Sequence, residues 1–489
     1  MLTCHKSFVI LLAILTFAKI TSAQSDVAID WQPHTGQGHD GRPLEGRLGR
    51  IRVPENRSKP DSGTIEIAFV VYPATGEKPG PPIFYLAGGP GGSGVRLAGQ
   101  EATHPALSLL DHGDVIGIDQ RGTGLCQPDL QTPDFRWSLP SERPITREDL
   151  IAAHGQAVAE CFQYWTDQGV DLAAYNTSES AHDLEAVRLA LGLDKVVLYG
   201  ASYGSHLGMT YLRLHEDHVA RAVFSRLEGL NDTWKLPSEV QRKLTLLSQR
   251  IAESPDIGKK VPDLAGLLSS LLAQLEKEPV RVALDRPGLP KELVIGPLDL
   301  QLLTAYTLGS SRSLGGLPAA LYYMSQGQWA PMAPIFLANR RGDIQSAMSV
   351  MMDCASGAGE ERRKRIERER LNPKNVLSDA LNAPAYPETC SSCGSPDLGD
   401  SFRVRFRSEV PILFVSGDLD ARTPPSNVEA VREDFPNHTH LLIENATHDA
   451  RELESAEYAA ELRQFLIGES IESRAISLPP IPFGPVRGD

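Results

Sequence analysis

The chain has 489 residues and a formal net charge of −14, with 41% hydrophobic and 22% charged residues. This length exceeds what one hydrophobic core usually supports, so it predicts one large domain with an insertion, or two domains. The negative charge argues against nucleic acid and anionic membrane surfaces as partners.

Residues 1–23 have the pattern of a secretory signal peptide. Lys6 supplies the positive start, residues 8–18 form the apolar centre, and residues 21–23 are small, as a cleavage site requires. The apolar centre is too short to span a bilayer, and no later stretch of the sequence could cross one. We therefore predict an exported chain, secreted or periplasmic, without a membrane span.

The next 200 residues alternate between strand and helix patterns. Residues 24–45 are polar and predict irregular structure. Apolar or alternating runs predict strands at 47–53, 64–72, 83–86, 114–119, 196–199 and 220–224, and helical spacing predicts helices at 147–166 and 178–192. This order indicates an α/β sheet that begins antiparallel and continues parallel.

A glycine-rich loop follows the strand at 83–86. Residues 87–94 read Ala-Gly-Gly-Pro-Gly-Gly-Ser-Gly. A phosphate loop would need a following Lys-Ser/Thr pair, and Pro90 breaks the dinucleotide pattern. We interpret the loop as the donor loop of an oxyanion hole, with one N–H from Gly88 or Gly89 and the other from Tyr203.

The sequence Gly200-Ala201-Ser202-Tyr203-Gly204 fits G-x-S-x-G. The buried strand before it and the helical spacing after it supply the strand–turn–helix context that this motif requires. Ser202 would stand at the apex of a sharp turn, where only glycines fit on either side. The motif therefore predicts Ser202 as a nucleophile.

The strand and helix alternation stops at about residue 226. Residues 226–408, called the cap segment below, are mostly helical in pattern, and we interpret them as an inserted cap. The sheet resumes with strands at 411–416 and 440–443 and a final helix at 452–467. The predicted organisation is a first core part at 24–225, the cap at 226–408, a second core part at 409–470 and a Pro-rich tail at 471–489, whose last residues would be disordered or loosely laid on the surface.

A serine nucleophile needs a base and an acid to orient that base. In a sheet of this kind the order along the chain is Ser, acid, His, each at the carboxyl end of a strand. His448 follows the last strand, whereas the histidines within 438–440 enter that strand at the wrong end. Asp418 and Asp420 both follow the preceding strand, and we prefer Asp420 because it lies further into the loop.

Five cysteines follow the signal segment: Cys126, Cys161, Cys354, Cys390 and Cys393. Some should be paired in an oxidising compartment, and the odd count leaves at least one unpaired within the chain. The C-x-x-C at 390–393 lacks the second ligand pair of a zinc site. We predict no metal and no cofactor.

Together these motifs resemble the prolyl-aminopeptidase-like serine peptidases of the α/β-hydrolase superfamily, including the secreted tripeptidyl-aminopeptidase type. The resemblance rests on residues 88–91, 119–122 and 200–204, on Gly417 with residues 420–424, and on His448. It implies an α/β-hydrolase fold, with a mostly parallel eight-stranded sheet flanked by helices and a large helical cap inserted late. It also implies a Cys126–Cys161 bridge and a second bridge from Cys354 to Cys390 or Cys393.

The function predicted first is that of a secreted serine aminopeptidase acting on peptides through an acyl-enzyme on Ser202. An aminopeptidase must bind a protonated α-amine, and Glu228, Asp232 and Glu239 at the start of the cap segment are the candidate carboxylates. One alternative is a carboxylesterase that uses the same three residues on small esters. The other is a non-catalytic binding protein on a hydrolase scaffold.

Overall fold

The computed structural model describes residues 28–37, 42–97, 105–132, 134–284, 288–378, 380–382, 386–392 and 396–486. The predicted signal peptide and Cys393 lie outside the described residues. No helix in the described part of the chain is long and apolar enough to cross a membrane.

A ten-stranded sheet forms the centre of the fold, and two short two-stranded sheets accompany it. The strands are β1 (Asp30–Gln37), β2 (Pro43–Pro54), β3 (Thr64–Tyr72), β4 (Ile83–Leu86), β5 (Val115–Ile118), β6 (Arg136–Ser138), β7 (Val196–Ala201), β8 (Val219–Ser225), β9 (Val280–Ala283), β10 (Glu292–Ile295), β11 (Arg341–Asp343), β12 (Ile412–Gly417), β13 (His438–Glu444) and β14 (Arg474–Ser477). The order across the large sheet is β1-β2-β3-β5-β4-β7-β8-β12-β13-β14. Strands β1, β2, β3 and β5 pair antiparallel in succession, and every pair from β5–β4 to β13–β14 in this order is parallel. The two short sheets pair β9 with β10 and β6 with β11. The predicted fold class is confirmed.

The sheet has two more strands than the eight predicted, one at each edge. Strand β1 lies in residues 24–45, which were predicted to be irregular, so that prediction is wrong. The strand pairs with β2 from Asp30↔Arg50 to Gln37↔Pro43, and Trp31 packs edge-on against Phe69. Most β1 side chains are exposed, so its sequence lacks the apolar alternation that predicted the inner strands.

Helices cover both faces of the sheet and make up most of the cap segment. They are α1 (Arg147–Asp167), α2 (Thr177–Ala190), α3 (Tyr203–His215), α4 (Pro237–Ala252), α5 (Ile257–Lys260), α6 (Leu264–Lys277), α7 (Pro297–Thr307), α8 (Ser311–Leu314), α9 (Leu317–Ser325), α10 (Ala333–Asn339), α11 (Ala347–Ser356), α12 (Glu360–Arg370), α13 (Glu388–Ser392), α14 (Asp400–Arg403), α15 (Ser426–Val431) and α16 (Ala456–Ile467). Buried apolar residues of α4 to α10 form a hydrophobic cluster distinct from the one around the large sheet.

The C-terminal tail is ordered and packed up to residue 486, contrary to the prediction of a loose tail. Strand β14 extends the sheet beside β13. After it the chain crosses to the cap segment, where Ile481 is 3% exposed within the cap's hydrophobic cluster and Gly484 donates a backbone hydrogen bond to Gly315 O (2.9 Å). The tail therefore joins the sheet edge to the cap segment, because its apolar residues pack into the hydrophobic cluster of that segment.

One of the two expected disulfides is present. Cys354 on α11 is bonded to Cys390 on α13. Cys126 and Cys161 are free and buried, so the bridge between them, which the family resemblance implied, is wrong. The sulfur of Cys126 accepts from Ala68 N (3.4 Å), whereas that of Cys161 lies beside Thr132 Oγ1 (3.7 Å), so each thiol is held by a different partner.

Candidate active site

Ser202 lies at the turn between β7 and α3, as the motif predicted. Its φ of +54° is unusual for a residue with a side chain and indicates a strained turn. A Cβ at Gly200 would lie 2.3 Å from Gly204 O, and one at Gly204 would lie 2.0 Å from Leu86 O. Both glycines are therefore needed for β7, α3 and β4 to approach closely enough to present Ser202.

Asp420 and His448, which are distant from Ser202 in sequence, meet it at the carboxyl ends of β12 and β13. His448 Nε2 lies 3.0 Å from Ser202 Oγ, and His448 Nδ1 lies 2.9 Å from Asp420 Oδ2. The imidazole therefore spans the hydroxyl and the carboxylate, which is the geometry by which a base takes a serine proton.

Asp420 is completely buried and fully hydrogen-bonded. Oδ1 accepts from the backbone N–H groups of Arg422 (2.8 Å) and Thr423 (2.9 Å), and Oδ2 accepts from Thr423 Oγ1 (2.7 Å) in addition to contacting His448. Burial alone would raise the pKa of Asp420, but His448 and these hydrogen bonds hold the pKa well below its ordinary value. The carboxyl group is thus ionised beside the imidazole.

Asp418, the less favoured acid, points away from His448. Its Oδ2 forms an ion pair with Arg250 (2.9 Å), and its Oδ1 accepts from Asn445 N (2.8 Å). The contacts link the Asp418 loop to α4 and to the loop after β13. Asp418 therefore has a structural role in this site.

The glycine loop after β4 lies directly against the nucleophile. A Cβ at Gly88 would be 2.9 Å from Ala201 O and 3.3 Å from Ser202 Cβ, so no larger residue would fit. Gly89 has a φ of +125°, and Gly92 N donates to Gly88 O (3.0 Å) to close the loop. Tyr203, at the first position of α3, has one of the backbone N–H groups that a helix leaves without an internal acceptor.

Asp119 and Arg121, from the segment 119–122 that carries part of the family resemblance, have separate partners in the structure. Asp119 accepts from Ser93 Oγ (2.6 Å) and Val95 N (3.0 Å), so it holds the end of the glycine loop. Arg121 is fully buried and pairs with Asp183 of α2 (2.8 Å). Both residues stabilise loops, but they do so separately.

Helix α11 connects the glycine loop to a pair of acids. Ser349 donates to Pro90 O (2.8 Å), and Met352 Sδ accepts from Tyr203 OH (3.2 Å). One turn after Ser349, Asp353 is largely buried, and this burial together with the charge of Glu228 raises its pKa to about 8. These two carboxylates therefore lie in one cluster beside the nucleophile turn.

Glu228 is the more deeply buried acid of this pair, and one of its carboxylate oxygens has no recorded hydrogen bond. Its Oε2 pairs with Lys235 Nζ (2.9 Å), whereas its Oε1 is buried without a hydrogen bond of good geometry among the described residues and has the Thr233 hydroxyl nearby. Burial acts to raise the pKa of Glu228, but Lys235 and, to a smaller extent, this hydroxyl help to lower it. Its backbone N–H donates to Ser205 Oγ (2.9 Å), which in turn donates to Ser202 O (2.6 Å). Glu228 is thus fixed relative to the nucleophile through Ser205.

The other two predicted amine-binding acids have cationic partners. Asp232 pairs with Arg362 (2.7 Å), and Glu239 lies against Arg242 one turn along α4. Neither carboxylate has a recorded contact with Ser202, His448 or Asp420 among the described residues. Of the three predicted acids, Glu228 alone is linked to the nucleophile turn by hydrogen bonds.

Sequence reasoning missed Thr423 and Asp353. Thr423 was included only as part of residues 420–424, yet its hydroxyl lies 3.1 Å from His448 Nδ1. Its position three residues after Asp420 was the available signal, since such spacing places a hydroxyl within reach of a turn carboxylate. Asp353 carried no signal, because its relation to Glu228 exists only in three dimensions.

A strained serine after a central parallel strand, with His448 and Asp420 at the next strand ends, defines an α/β hydrolase. A family model described as "alpha/beta hydrolase fold" matches residues 81–454, and the chain belongs to this family. Among the described residues, no group of three or more His, Cys, Asp or Glu side chains could hold a metal ion.

Three curated relatives match parts of the chain. The tripeptidyl aminopeptidase of Streptomyces coelicolor is 27% identical over 361 residues, covering 70% of this chain and 62% of that protein. Serine protease Hip1 of Mycobacterium bovis is 28% identical over 234 residues, covering 46% and 44%. Carboxylesterase B of Mycobacterium tuberculosis is 32% identical over 157 residues, covering 29% of each chain. The chain spans less than two thirds of the length of these relatives, and the comparisons support a hydrolase.

Proposed function

We propose that the protein is an exported serine aminopeptidase whose catalytic residues are Ser202, His448 and Asp420. The observation that carries this proposal is an acid pair beside Ser202: Asp353 lies on α11, the helix that also contacts the glycine loop, and Glu228 follows β8 with one oxygen buried and without a recorded hydrogen bond. The same neighbourhood would then hold both the reacting carbonyl and the free amino terminus of a substrate.

In the proposed reaction, Ser202 Oγ attacks the carbonyl of the scissile bond while His448 Nε2 takes the hydroxyl proton. The N–H groups of Tyr203 and of Gly88 or Gly89 stabilise the oxyanion. His448 returns the proton to the leaving amine, and water then hydrolyses the acyl-enzyme. Asp420 keeps the imidazole proton on Nδ1 throughout, because its carboxylate accepts at that atom.

The substrate amine would bind between Glu228 and Asp353. A protonated amine could donate to the unused Glu228 Oε1 and would favour the ionised form of Asp353. An α-helix rises about 1.5 Å per residue, so Asp353 lies about 6 Å along α11 from Ser349, which contacts the glycine loop. If the substrate amine binds at Asp353, this short distance from the glycine loop would leave room for only one or a few amino-terminal residues.

The named relatives support a peptidase more broadly than any other activity. The relatives with the widest coverage include a tripeptidyl aminopeptidase, and a serine protease matches nearly half of this chain. A carboxylesterase on small esters is the second candidate, favoured by the match to carboxylesterase B. A non-catalytic role is disfavoured because the hydroxyl, imidazole and carboxylate are all in hydrogen-bonding positions.

Export is proposed from two features. Residues 1–23 have the signal-peptide pattern, and the Cys354–Cys390 disulfide is the kind of bond that persists in an oxidising compartment. Mass spectrometry of the mature protein from its native host would test this, since the proposal requires an amino terminus near residue 24.

The experiment that tests the activity compares peptides that have a free amino terminus with the same peptides acetylated. We expect turnover of the free peptides, loss of turnover in Ser202→Ala, and a KM at least about tenfold higher in Glu228→Gln, because a charged hydrogen bond is lost. Glu239→Gln is the matched control and should leave KM unchanged. Equal turnover of free and acetylated peptides would refute the aminopeptidase proposal, and turnover of esters alone would favour the esterase.

A further inference from the structure

Arg422 is a cation that lies beside the proposed catalytic residues. The reaction described above does not use it. It lies two residues after Asp420, and its backbone N–H donates to that carboxylate. Its side chain turns away toward the cap segment. Within the described part of the chain, its guanidinium forms no ion pair, and Nε is buried without a hydrogen-bond partner.

The cap segment contacts this guanidinium through the turn at residues 306–311, here called the 306–311 turn. A Cβ at Gly309 would lie 2.8 Å from Arg422 Nε and 3.1 Å from Nη2, so this glycine leaves the room that the guanidinium occupies. Tyr306 is also close: the residue is 41% exposed, but desolvation of its hydroxyl raises the pKa, and the positive charge of Arg422 opposes that rise. Gly309 therefore lies against the Nε–Nη2 edge, whereas the edge formed by the two terminal nitrogens has no hydrogen-bond partner among the described residues.

The 306–311 turn is itself attached to the loop that carries the base. Ser311 N donates to Asp449 Oδ2 (2.8 Å), and Ser311 Oγ donates to the same oxygen. Asp449 directly follows His448, whose Nε2 faces Ser202. Arg422 therefore lies between the Asp420 loop and a turn anchored beside His448, on the imidazole side of the nucleophile.

The imidazole side is where the leaving half of a substrate lies, because His448 must deliver a proton to the leaving amine. An unpaired guanidinium in a partly buried position is costly until an anion neutralises it. The anion that every peptide with an unmodified carboxyl terminus carries on its leaving half is a carboxylate. A guanidinium binds a carboxylate through two parallel N–H···O bonds.

We propose that Arg422 and the 306–311 turn form a subsite for the carboxylate of the leaving half of the substrate. The protein would then prefer short peptides with a free carboxyl terminus over the same peptides capped as amides. This inference rests on the proposed peptidase function, since it places a peptide's carboxyl terminus beside His448.

The test measures kcat/KM for pairs of short peptides that differ only in ending as a carboxylate or a carboxamide. We expect the wild type to favour the carboxylate about tenfold or more, as for other charged hydrogen bonds. Arg422→Gln should abolish this preference by slowing the carboxylate peptide alone. Arg422→Lys should keep part of it, because a lysine supplies the charge without the fork.

Arg312→Gln is the matched control, since Arg312 is exposed on α8 and its loss changes the net charge equally. It should keep the full preference. The proposal is overturned if Arg422→Gln retains the preference, or if Arg312→Gln loses it to the same degree. Labelling of Ser202 by a fluorophosphonate at the wild-type rate would show that each variant is folded with an intact nucleophile.

A failure of the peptidase proposal would be recognised separately. If the wild type is labelled by the fluorophosphonate but cleaves neither peptide of a pair, the subsite is tested with esters whose alcohol half carries a carboxylate or a carboxamide. A preference for the carboxylate ester that disappears in Arg422→Gln would support the subsite without the peptidase function. No difference between wild type and variant would overturn it.

Discussion

Replacing Asp420 with Asn changes one atom of the group formed by Ser202, His448 and Asp420, and its effect on kcat can be estimated. The Asn oxygen can keep the two backbone hydrogen bonds from Arg422 and Thr423, which now end on Oδ1. The Asn nitrogen would take the place of Oδ2, 2.9 Å from His448 Nδ1. An NH₂ group donates, so Nδ1 must become the acceptor and the imidazole proton must move to Nε2.

An imidazole protonated at Nε2 cannot take the proton of Ser202, which lies 3.0 Å from that atom. The same exchange in the well-studied chymotrypsin-type array costs about 10⁴ in kcat while the geometry stays intact. We expect a loss of that order here, equivalent to about 5.5 kcal/mol of transition-state stabilisation. The fold should be preserved, because Asn and Asp have nearly the same shape.

The assay is steady-state turnover of the best peptide or ester, with thermal unfolding to confirm the fold. Asp418→Asn is the matched control, because Asp418 is also buried in the same loop but pairs with Arg250 rather than His448. This control should reduce kcat less than tenfold. A tenfold or smaller loss in Asp420→Asn, or an equal loss in both variants, would refute the assignment of the acid.

Four further measurements test the surrounding structure. Thr423→Val removes the hydroxyl between the acid and the base and should lower kcat about 10- to 100-fold without unfolding the protein; an unchanged kcat would contradict this. Cys354→Ser opens a loop with a sequence separation of 36 and should lower the free energy of unfolding by about 4 kcal/mol in urea titrations, whereas a loss below about 1 kcal/mol would mean that the bridge adds little. Ile481→Ala should cost about 2–5 kcal/mol by the same measurement if the tail is packed as described, and close to nothing if the tail is loose. Burial raises the pKa of Asp353 to about 8, so the folded chain keeps a proton that the unfolded chain releases near pH 4; stability should fall as the pH rises from about 4 to 8, and Asp353→Asn should remove that slope.

The meeting of Ser202, His448 and Asp420 was predictable because the position of each depends on local sequence and on one topological rule. G-x-S-x-G after a buried strand places Ser202 at a strand end, and the order Ser, acid, His leaves few candidates after residue 409. The parallel order β7-β8-β12-β13 then brings the three strand ends together. Only the choice between Asp418 and Asp420 depended on side-chain direction. In the structure Asp420 contacts His448, whereas Asp418 accepts from Asn445 N.

The errors have a different cause, which is packing between segments distant in sequence. The edge strand β1 is polar because solvent covers much of it, and its strand character comes from pairing with β2. The expected Cys126–Cys161 bridge is absent, and each sulfur contacts a different partner in the core. The tail looked unstructured from its prolines, yet Ile481 finds an apolar cluster supplied by the cap segment.

The cap segment brings to the site the residues that would choose the substrate. Helix α11 carries Asp353 to the side of the glycine loop, and the 306–311 turn carries Gly309 to the side of His448. A substrate held by its amine at the first place and by its carboxylate at the second would have both ends fixed, so its length would be limited. The helical pattern of the cap segment predicts that these elements form, but their distance from Ser202 follows from how the segment packs on the sheet. Loosening that packing, as in Ile481→Ala, should therefore affect the choice among peptide lengths more than hydrolysis of a small ester.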